Sequence, residues 1–153
     1  MRPMDAIILP TTDIVVPDRG LTIGEVAEAT GLSVQTLRFY EREGLMLDPT
    51  RRDASGHRRY RRNDLDWING LLMLRETGMS IVDMRMLADL SRREGSEADR
   101  LRVLEGHRAR VLDELARTRR HLEALEKKIR AYRDVVGEDE TSRTSTSTEQ
   151  ENG

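Results

Sequence analysis

The sequence predicts a mainly α protein, with a winged helix-turn-helix head followed by a long dimerising coiled-coil helix. Three observations carry this prediction. Two short helical patterns separated by a glycine turn lie between Leu21 and Gly44. An arginine-rich segment with turn residues at its centre follows at 51–60. A regular apolar repeat then runs from Leu101 to Val136, at the spacing of a coiled coil.

Composition limits the size of the core. Of the 153 residues, 37% are apolar, 35% are charged and only 3% are aromatic. These fractions are thin for a single compact globule and normal for long solvated helices. The chain has no cysteine, which excludes disulfides and thiolate metal sites.

The two short helices have clear start and stop signals. Thr22 and Glu25 form a capping box at the start of the first helix, and the apolar residues after them recur at helical spacing. Gly31 ends this helix, because glycine tolerates the left-handed conformation at a helix C-terminus. Ser33 caps the second helix, whose inner face includes Leu37. Two helices joined by so few residues form a helix-turn-helix.

The second helix carries side chains suited to a major groove. Amide and guanidinium groups hydrogen-bond base edges, whereas hydroxyls and arginines also contact phosphates. The residues predicted to point away from its apolar side are Gln35, Thr36, Phe39 and Tyr40, flanked by Arg38 and Arg42.

The arginine-rich segment predicts a two-stranded wing around Ser55-Gly56. From Ser33 to Arg62 there are eight arginines and four carboxylates, although the whole chain has a net charge of −2. A local basic surface on an otherwise acidic chain is typical of nucleic-acid binding, and a solvated charge run is the alternative. The candidate DNA-binding residues are Gln35, Thr36, Arg38, Tyr40, Arg58, Arg59 and Tyr60.

Two further helices are predicted after the wing. Asn63 caps the third, in which the lone Trp67 is interpreted as a core residue. Ser80 caps the fourth, at about 81–93, which is apolar around most of its circumference and should pack on two sides. Met79, Met84 and Met86, in or next to this helix, either fill the core or line a ligand pocket.

The last third of the chain has apolar residues at alternating spacings of three and four. This pattern is typical of a coiled-coil seam, and the helix would run from Glu97 to Val136 over about 60 Å at ~1.5 Å per residue. A second copy is its natural partner, because nothing else in the chain could cover it. The predicted dimerisation residues are Leu101, Leu104, Val111, Leu115, Leu122, Leu125, Ile129 and Tyr132.

Four segments are expected. Residues 1–20 form a flexible N-terminal arm, with an arm that packs on a partner as the alternative, and 21–94 form the head. Residues 96–137 form the coil, which Gly137 ends, and 138–153 form a disordered acidic tail. The start of the chain is too broken by proline for a secretory leader or a membrane helix.

No catalytic set is present, and neither a metal site nor a cofactor is expected. Two of the three histidines, His107 and His121, lie almost four helical turns apart, so one chain cannot bring them together at a metal. There is no phosphate-binding loop and no nucleophile elbow. The sequence therefore indicates a protein that is not an enzyme.

The chain resembles the DNA-binding head of the MerR family of bacterial transcription regulators. The matching segments are TIGEVA at 22–27, GLSVQTLRFYEREGL at 31–45 and GHRRY at 56–60. The resemblance continues through NDLDWINGLLMLRETGMSIVDMRML at 63–87 into the long helix. His57 is a departure, because the family more often carries an aromatic residue there.

This resemblance implies a mechanism. The wing residues would hold backbone phosphates while the second helix enters the major groove of a near-palindromic promoter operator. A homodimer with an antiparallel coil would bend and untwist the DNA, which brings the promoter elements into register for RNA polymerase. The protein would be cytoplasmic. A small apolar effector would bind between the third and fifth helices, or there would be no effector.

Two other functions stay open at this point. One is an effector-free architectural DNA-binding protein with the same head. The other is a coiled-coil interaction module whose basic head binds an acidic protein. A steep fall of affinity with salt, together with a sequence preference, would favour the regulator.

Overall fold

The computed structural model describes residues 14–47 and 51–148. These ranges form five helices and one two-stranded antiparallel sheet. Their order is α1 (Ile23–Thr30), α2 (Val34–Arg42), β1 (Arg51–Arg52), β2 (Arg58–Arg59), α3 (Arg62–Glu76), α4 (Ile81–Ser91) and α5 (Glu97–Thr148). The predicted fold class and the order of the elements are confirmed. The chain divides into two compact units after Arg108.

The predicted helix caps are present. The hydroxyl of Thr22 accepts the N–H of Glu25 at 3.2 Å, and the Glu25 carboxylate accepts the N–H of Thr22 at 2.8 Å. The hydroxyl of Ser33 accepts the N–H of Thr36 at 3.1 Å. Gly31 is left-handed, with φ 73°, as the end of α1 requires. Each cap stabilises its helix by about 1 kcal/mol.

The wing is antiparallel, with Arg51 opposite Arg59. Leu21, just before α1, extends it through two hydrogen bonds with Tyr60, at 2.8 and 2.9 Å. Gly20 makes this close approach possible, because a Cβ there would lie 2.9 Å from the Tyr60 carbonyl oxygen. The start of the head is therefore tied to its wing.

The prediction of a flexible arm is wrong for residues 14–20. Ile14 and Val16 pack against the core, and the guanidinium of Arg62 donates a 2.6 Å hydrogen bond to the Ile14 carbonyl. These apolar residues are held in place because the bridge at Leu21 brings the preceding chain against the head. Residues 1–13 lie outside the described part of the chain.

The two middle helices begin close to their predicted positions. α3 starts at Arg62, one residue before the predicted cap Asn63, because the Asp64 carboxylate reaches back to accept the N–H of Arg61 at 2.8 Å. α4 starts after Ser80, whose hydroxyl accepts a backbone N–H as predicted, and it ends two residues earlier than expected.

One aliphatic core holds the head together. Met79 and Met84 are buried in it, as predicted for core residues, and Trp67 packs against its edge, whereas Met86 is 46% exposed and does not fill the core. The first turns of α5 also contribute: Val103 packs on the core, and the buried His107 hydrogen-bonds the Thr77 hydroxyl at 2.7 Å. The largest side chains with almost no exposure are Val26, Leu37, Tyr40, Leu45, Tyr60, Ile68, Leu71 and Met84.

α5 is longer than predicted. It continues through Gly137 to Thr148, past the predicted helix end at Gly137 and into the segment predicted as an acidic tail. A glycine inside a helix costs only about 1 kcal/mol relative to alanine, which a long helix tolerates. Residues 149–153 lie outside the described part. None of the helices in the described ranges is long and apolar enough to span a lipid bilayer.

The predicted dimerisation residues divide into two sets. Leu104 is partly buried against the core of its own head, which corrects its placement in the seam, and Val111 is also partly buried. The other six are exposed large apolar side chains. They are Leu101, Leu115, Leu122, Leu125, Ile129 and Tyr132, joined by Leu112, Val135 and Val136.

Candidate nucleic-acid interface

The exposed face of α2 presents an amide and two guanidinium groups. Gln35, Arg38 and Arg42 are exposed and follow one another at spacings of three and four residues, so they share one side of the helix. Thr36 has a local role instead, since its hydroxyl and that of Ser33 lie 2.9 Å apart at the helix start.

The tyrosines predicted to contact DNA lie in the core. Tyr40 and Tyr60 are each 1% exposed. Tyr40 follows Leu37 by three residues and so faces inward with it, and Tyr60 is held by its backbone pairing with Leu21. Burial raises the pKa of the Tyr60 phenol, against the opposing effect of Arg58. The prediction that Tyr40 faces away from the apolar side of α2 is wrong.

Asp53 organises the turn of the wing. Its carboxylate accepts the N–H groups of Ser55 and His57, at 2.9 and 3.0 Å. It also accepts two N–H groups of the Arg59 guanidinium, at 3.0 and 3.1 Å. The hydrogen bond from the His57 N–H is the main cause of a lowered pKa for Asp53. Arg59 therefore stabilises the turn of the wing.

An ion pair joins the wing to α2. The guanidinium of Arg58 on β2 pairs with the carboxylate of Glu41 on α2. The side chain of Glu41 is 12% exposed and that of Arg58 is 32% exposed. An ion pair with little exposure to water is costly to separate, so this one links the two elements. The two elements that would straddle a DNA backbone are thus held together.

A basic cavity of about 620 Å³ lies between α2, the wing and the start of α1. Five arginines and one histidine line it, and no carboxylate from the described residues does. Its lining residues are Thr22, Ile23, Arg38, Arg42, Arg52, Gly56, His57, Arg58 and Arg59. A concave surface with this charge suits a phosphate backbone.

Two of the cavity arginines have side chains that are not engaged by other described residues. Neither Arg38 nor Arg42 forms an ion pair or hydrogen bond with a described residue. Arg42 and Arg52 are not among the predicted DNA-binding residues. Arg42 could have been found, because it lies one helical turn after Arg38. Arg52 could not, because its position depends on the register of the wing.

A second ion pair stands at the start of α1. The guanidinium of Arg19 donates to both carboxylate oxygens of Glu25, at 2.9 and 3.3 Å. This hydrogen bonding, with that of the Thr22 N–H, lowers the pKa of the Glu25 carboxyl from 4.5 to about 2. Glu25 therefore caps the helix while Arg19 balances its charge.

These features define a class of protein. A helix-turn-helix with an exposed amide and guanidinium face, next to a basic two-stranded wing, is the architecture of a winged helix-turn-helix head that binds DNA.

Comparison with known proteins gives the family. The family model of MerR HTH regulatory proteins matches residues 21–91. An uncharacterised HTH-type transcriptional regulator of Haemophilus influenzae is 37% identical over 112 residues, which are 72% of this chain and 82% of that protein. Several further curated relatives match over 61 to 67 residues, and the chain spans only 26% to 45% of their length.

Solved structures agree with this assignment. HiNmlR, described as a MerR family regulator lacking the sensor domain and bound to promoter DNA, is 35% identical with a TM-score of 0.68, over 76% of this chain and 92% of that one. A MerR family regulator from Listeria monocytogenes is 29% identical with a TM-score of 0.78, over 86% and 99%. The chain belongs to the MerR family of helix-turn-helix transcription regulators.

Proposed function

We propose that this regulator binds a promoter operator in duplex DNA through the basic cavity and the exposed face of α2. The observation that carries the proposal is the pair of guanidinium groups of Arg38 and Arg42, which line the cavity, share a helix face with the exposed Gln35 and have no ion pair with a described residue. Guanidinium and amide groups pair with guanine and adenine edges in the major groove. The promoter DNA bound to HiNmlR supports the same partner here.

The arginines of the wing serve the phosphate backbone in this proposal. Arg52, Arg58 and Arg59 line the cavity from the wing, whereas Arg38 and Arg42 line it from α2. Each phosphate neutralised releases counterions, so these contacts contribute affinity that is independent of sequence and falls with salt.

The working unit in this proposal is a homodimer formed along α5. Apolar side chains such as Leu115, Leu122 and Leu125 are 43% to 53% exposed, at the spacing of a coiled-coil seam. Leaving this much apolar surface in water is unfavourable at about 25 cal/mol per Å². A second copy of the seam would cover it, and two heads then match a near-palindromic operator.

α4 offers a second apolar surface to that partner. Val82 and Met86 are 65% and 46% exposed and lie one turn apart on the face opposite the buried Met84. The sequence predicts that this helix packs on two sides, and the head covers one of them. We assign the other side to the coil of the partner subunit, where a small apolar effector would also fit.

The proposed action at the promoter is mechanical. Two heads fixed to one coil would bend and untwist the operator, at a cost of order 1–6 kcal/mol that the phosphate contacts offset. The distortion would align the promoter elements for RNA polymerase.

The test is selection of bound duplexes from a random-sequence DNA pool, followed by affinity measurements on the selected duplex. We expect a two-fold symmetric consensus and protection of both half-sites. Enrichment of no sequence above the random pool would contradict a specific regulator and favour the architectural alternative.

A further inference from the structure

The segment that follows α2, the proposed recognition helix, is held by side chains that are distant from it in sequence. Residues 43–47 connect α2 towards the wing, and each of their five carbonyl oxygens accepts a hydrogen bond from a side chain of α3, of α4 or of the cap that ends α4. We call these donors, Trp67, Arg85 and Arg92, together with the carbonyls of 43–47, the carbonyl clamp.

Arg92 makes most of the bonds in the clamp. Its guanidinium donates to the carbonyls of Gly44 at 2.6 Å and Leu47 at 3.1 Å, and also to that of Met46. A further N–H donates to the Asp89 carboxylate at 2.6 Å, which holds the side chain in this direction. Arg92, at the end of α4, thus bonds three of the five carbonyls in the segment after α2.

Two other side chains complete the clamp. Arg85 on α4 donates to the Glu43 carbonyl at 2.9 Å and pairs with the Glu43 carboxylate. The indole N–H of Trp67 on α3 donates to the Leu45 carbonyl at 2.6 Å. Arg85 and Arg92 also place positive charge at the C-terminal end of α2, where the helix dipole favours it.

The clamp does more than satisfy hydrogen bonds. Carbonyls at the end of an exposed helix are commonly satisfied by water or by bonds within the turn. Here the donors lie 22 to 48 residues away in sequence, so the bonds fix the end of α2 relative to α3 and α4. A base-edge hydrogen bond needs heavy-atom distances of about 2.7–3.2 Å, whereas a phosphate contact tolerates a looser position.

We propose that Arg92, Arg85 and Trp67 are positioning residues for sequence readout by α2. They touch no DNA and act through the segment that ends the recognition helix. Loss of the clamp should reduce discrimination between sequences more than it reduces general affinity for DNA. This inference rests on the proposed operator binding by the exposed face of α2.

The experiment compares the full-length wild type with Arg92→Ala, Arg92→Lys and Trp67→Phe. Arg93→Ala is the matched control, since it removes the same charge one residue later from an exposed side chain with no hydrogen bond or ion pair to a described residue. The probes are a duplex selected by the wild type and a random duplex of equal length, at one salt concentration.

We expect Arg92→Ala to weaken binding to the selected duplex by about tenfold to a hundredfold, the discrimination of one bidentate base contact. Binding to the random duplex should change as it does in Arg93→Ala. Arg92→Lys should not restore discrimination, because an ammonium cannot reproduce the forked geometry. Equal losses on both duplexes in Arg92→Ala and Arg93→Ala would overturn the proposal.

Two further readouts keep the test decisive. If Arg92→Ala is unfolded at the assay temperature, Trp67→Phe, which removes one donor and keeps the ring, decides in its place by the same comparison. Trp67 is the only tryptophan, so its fluorescence reports on the clamp without DNA. Emission should shift in Arg92→Ala and stay unchanged in Arg93→Ala. Unshifted emission would contradict the clamp even if the wild type bound no specific DNA.

Discussion

Single arginines in the head have different roles, although the sequence presents them as one basic run. Arg58 and Arg59 are engaged with Glu41 and Asp53, so part of their charge maintains the wing. Arg38 has no such partner among the described residues. The positive charge that no ion pair engages is therefore concentrated on α2, at the wall of the cavity.

Substitutions at these arginines should separate stability from DNA binding. Arg42→Ala should weaken binding to every duplex and leave the melting temperature within about 2 °C, because an exposed, unpaired side chain contributes little to stability. Arg58→Ala should weaken binding and also lower the melting temperature, since it removes the ion pair that links the wing to α2. Equal melting temperatures for the two variants would contradict a structural role for the Arg58–Glu41 pair.

The cap of α1 should produce a pH dependence at acid pH. The pKa of Glu25 is lowered in the folded state to about 2, so its contribution to stability is complete above about pH 4.5 and is lost as the pH falls towards 2. The difference in free energy of unfolding between the wild type and Glu25→Gln should narrow over that range. Denaturant titrations at several pH values measure it.

The control for this prediction is Glu28→Gln on the same helix. The Glu28 side chain is exposed and has no hydrogen bond or ion pair with the described residues. A similar pH-dependent difference in Glu28→Gln would show that the effect is one of net charge and not of the cap.

Residue types predicted correctly that some site side chains are exposed, and they predicted this wrongly for others. Gln35 and Arg38 have polar ends at helical spacing, and the structure exposes both. Tyr40 has a polar end too, but its ring is a large apolar surface and the helix turns it into the core. The clamp residue Arg92 could not be predicted, because its acceptors lie 45 to 48 positions earlier in the chain.

At the scale of elements, caps and glycines set most boundaries, and those are local in sequence. The start of α1, the start of α2 and the wing turn were therefore predictable. Two features depend on contacts that are distant in sequence: the bridge between Leu21 and Tyr60, and the packing of Ile14 and Val16 on the head. The continuation of α5 through Gly137 shows that one glycine does not end a long helix.

The junction between the wing and the start of the head should not tolerate a side chain at Gly20. Its φ of +75° and the 2.9 Å from a Cβ to the Tyr60 carbonyl oxygen predict that Gly20→Ala lowers the free energy of unfolding by about 1–3 kcal/mol. Gly24→Ala is the control. A Cβ there meets only Thr22 Oγ1 at 3.9 Å inside a helix, so this change should stabilise by about 0.5–1 kcal/mol. Thermal or denaturant unfolding of both variants measures these changes in the free energy of unfolding.

The proposed seam of α5 is tested by charge. Leu115→Asp with Leu122→Asp should give monomers in sedimentation and lose operator binding, because two charges would be buried between the helices. Ala116→Asp with Ala124→Asp adds the same charge at exposed positions off the seam and should leave the dimer intact. A dimer that survives the leucine substitutions would place the interface elsewhere.

At the scale of the whole molecule, charge is unevenly distributed. The segment from Ser33 to Arg62 has four more arginines than carboxylates, although the chain as a whole carries −2. Five of the eight arginines in this segment line one cavity, and most of the exposed large apolar side chains of the described residues lie along α5. A DNA-binding dimer would use both surfaces, and so would a coiled-coil module whose basic head binds an acidic protein, so only a preference for DNA sequence separates the two.

The most direct measurement is the affinity of the full-length protein for the selected duplex and for a scrambled duplex across a series of salt concentrations. We predict specific binding about 10³-fold or more tighter than binding to the scrambled duplex, with affinity for both falling steeply as salt rises. Equal affinity for the two duplexes at every salt concentration would contradict sequence-specific recognition by α2, whatever the oligomeric state.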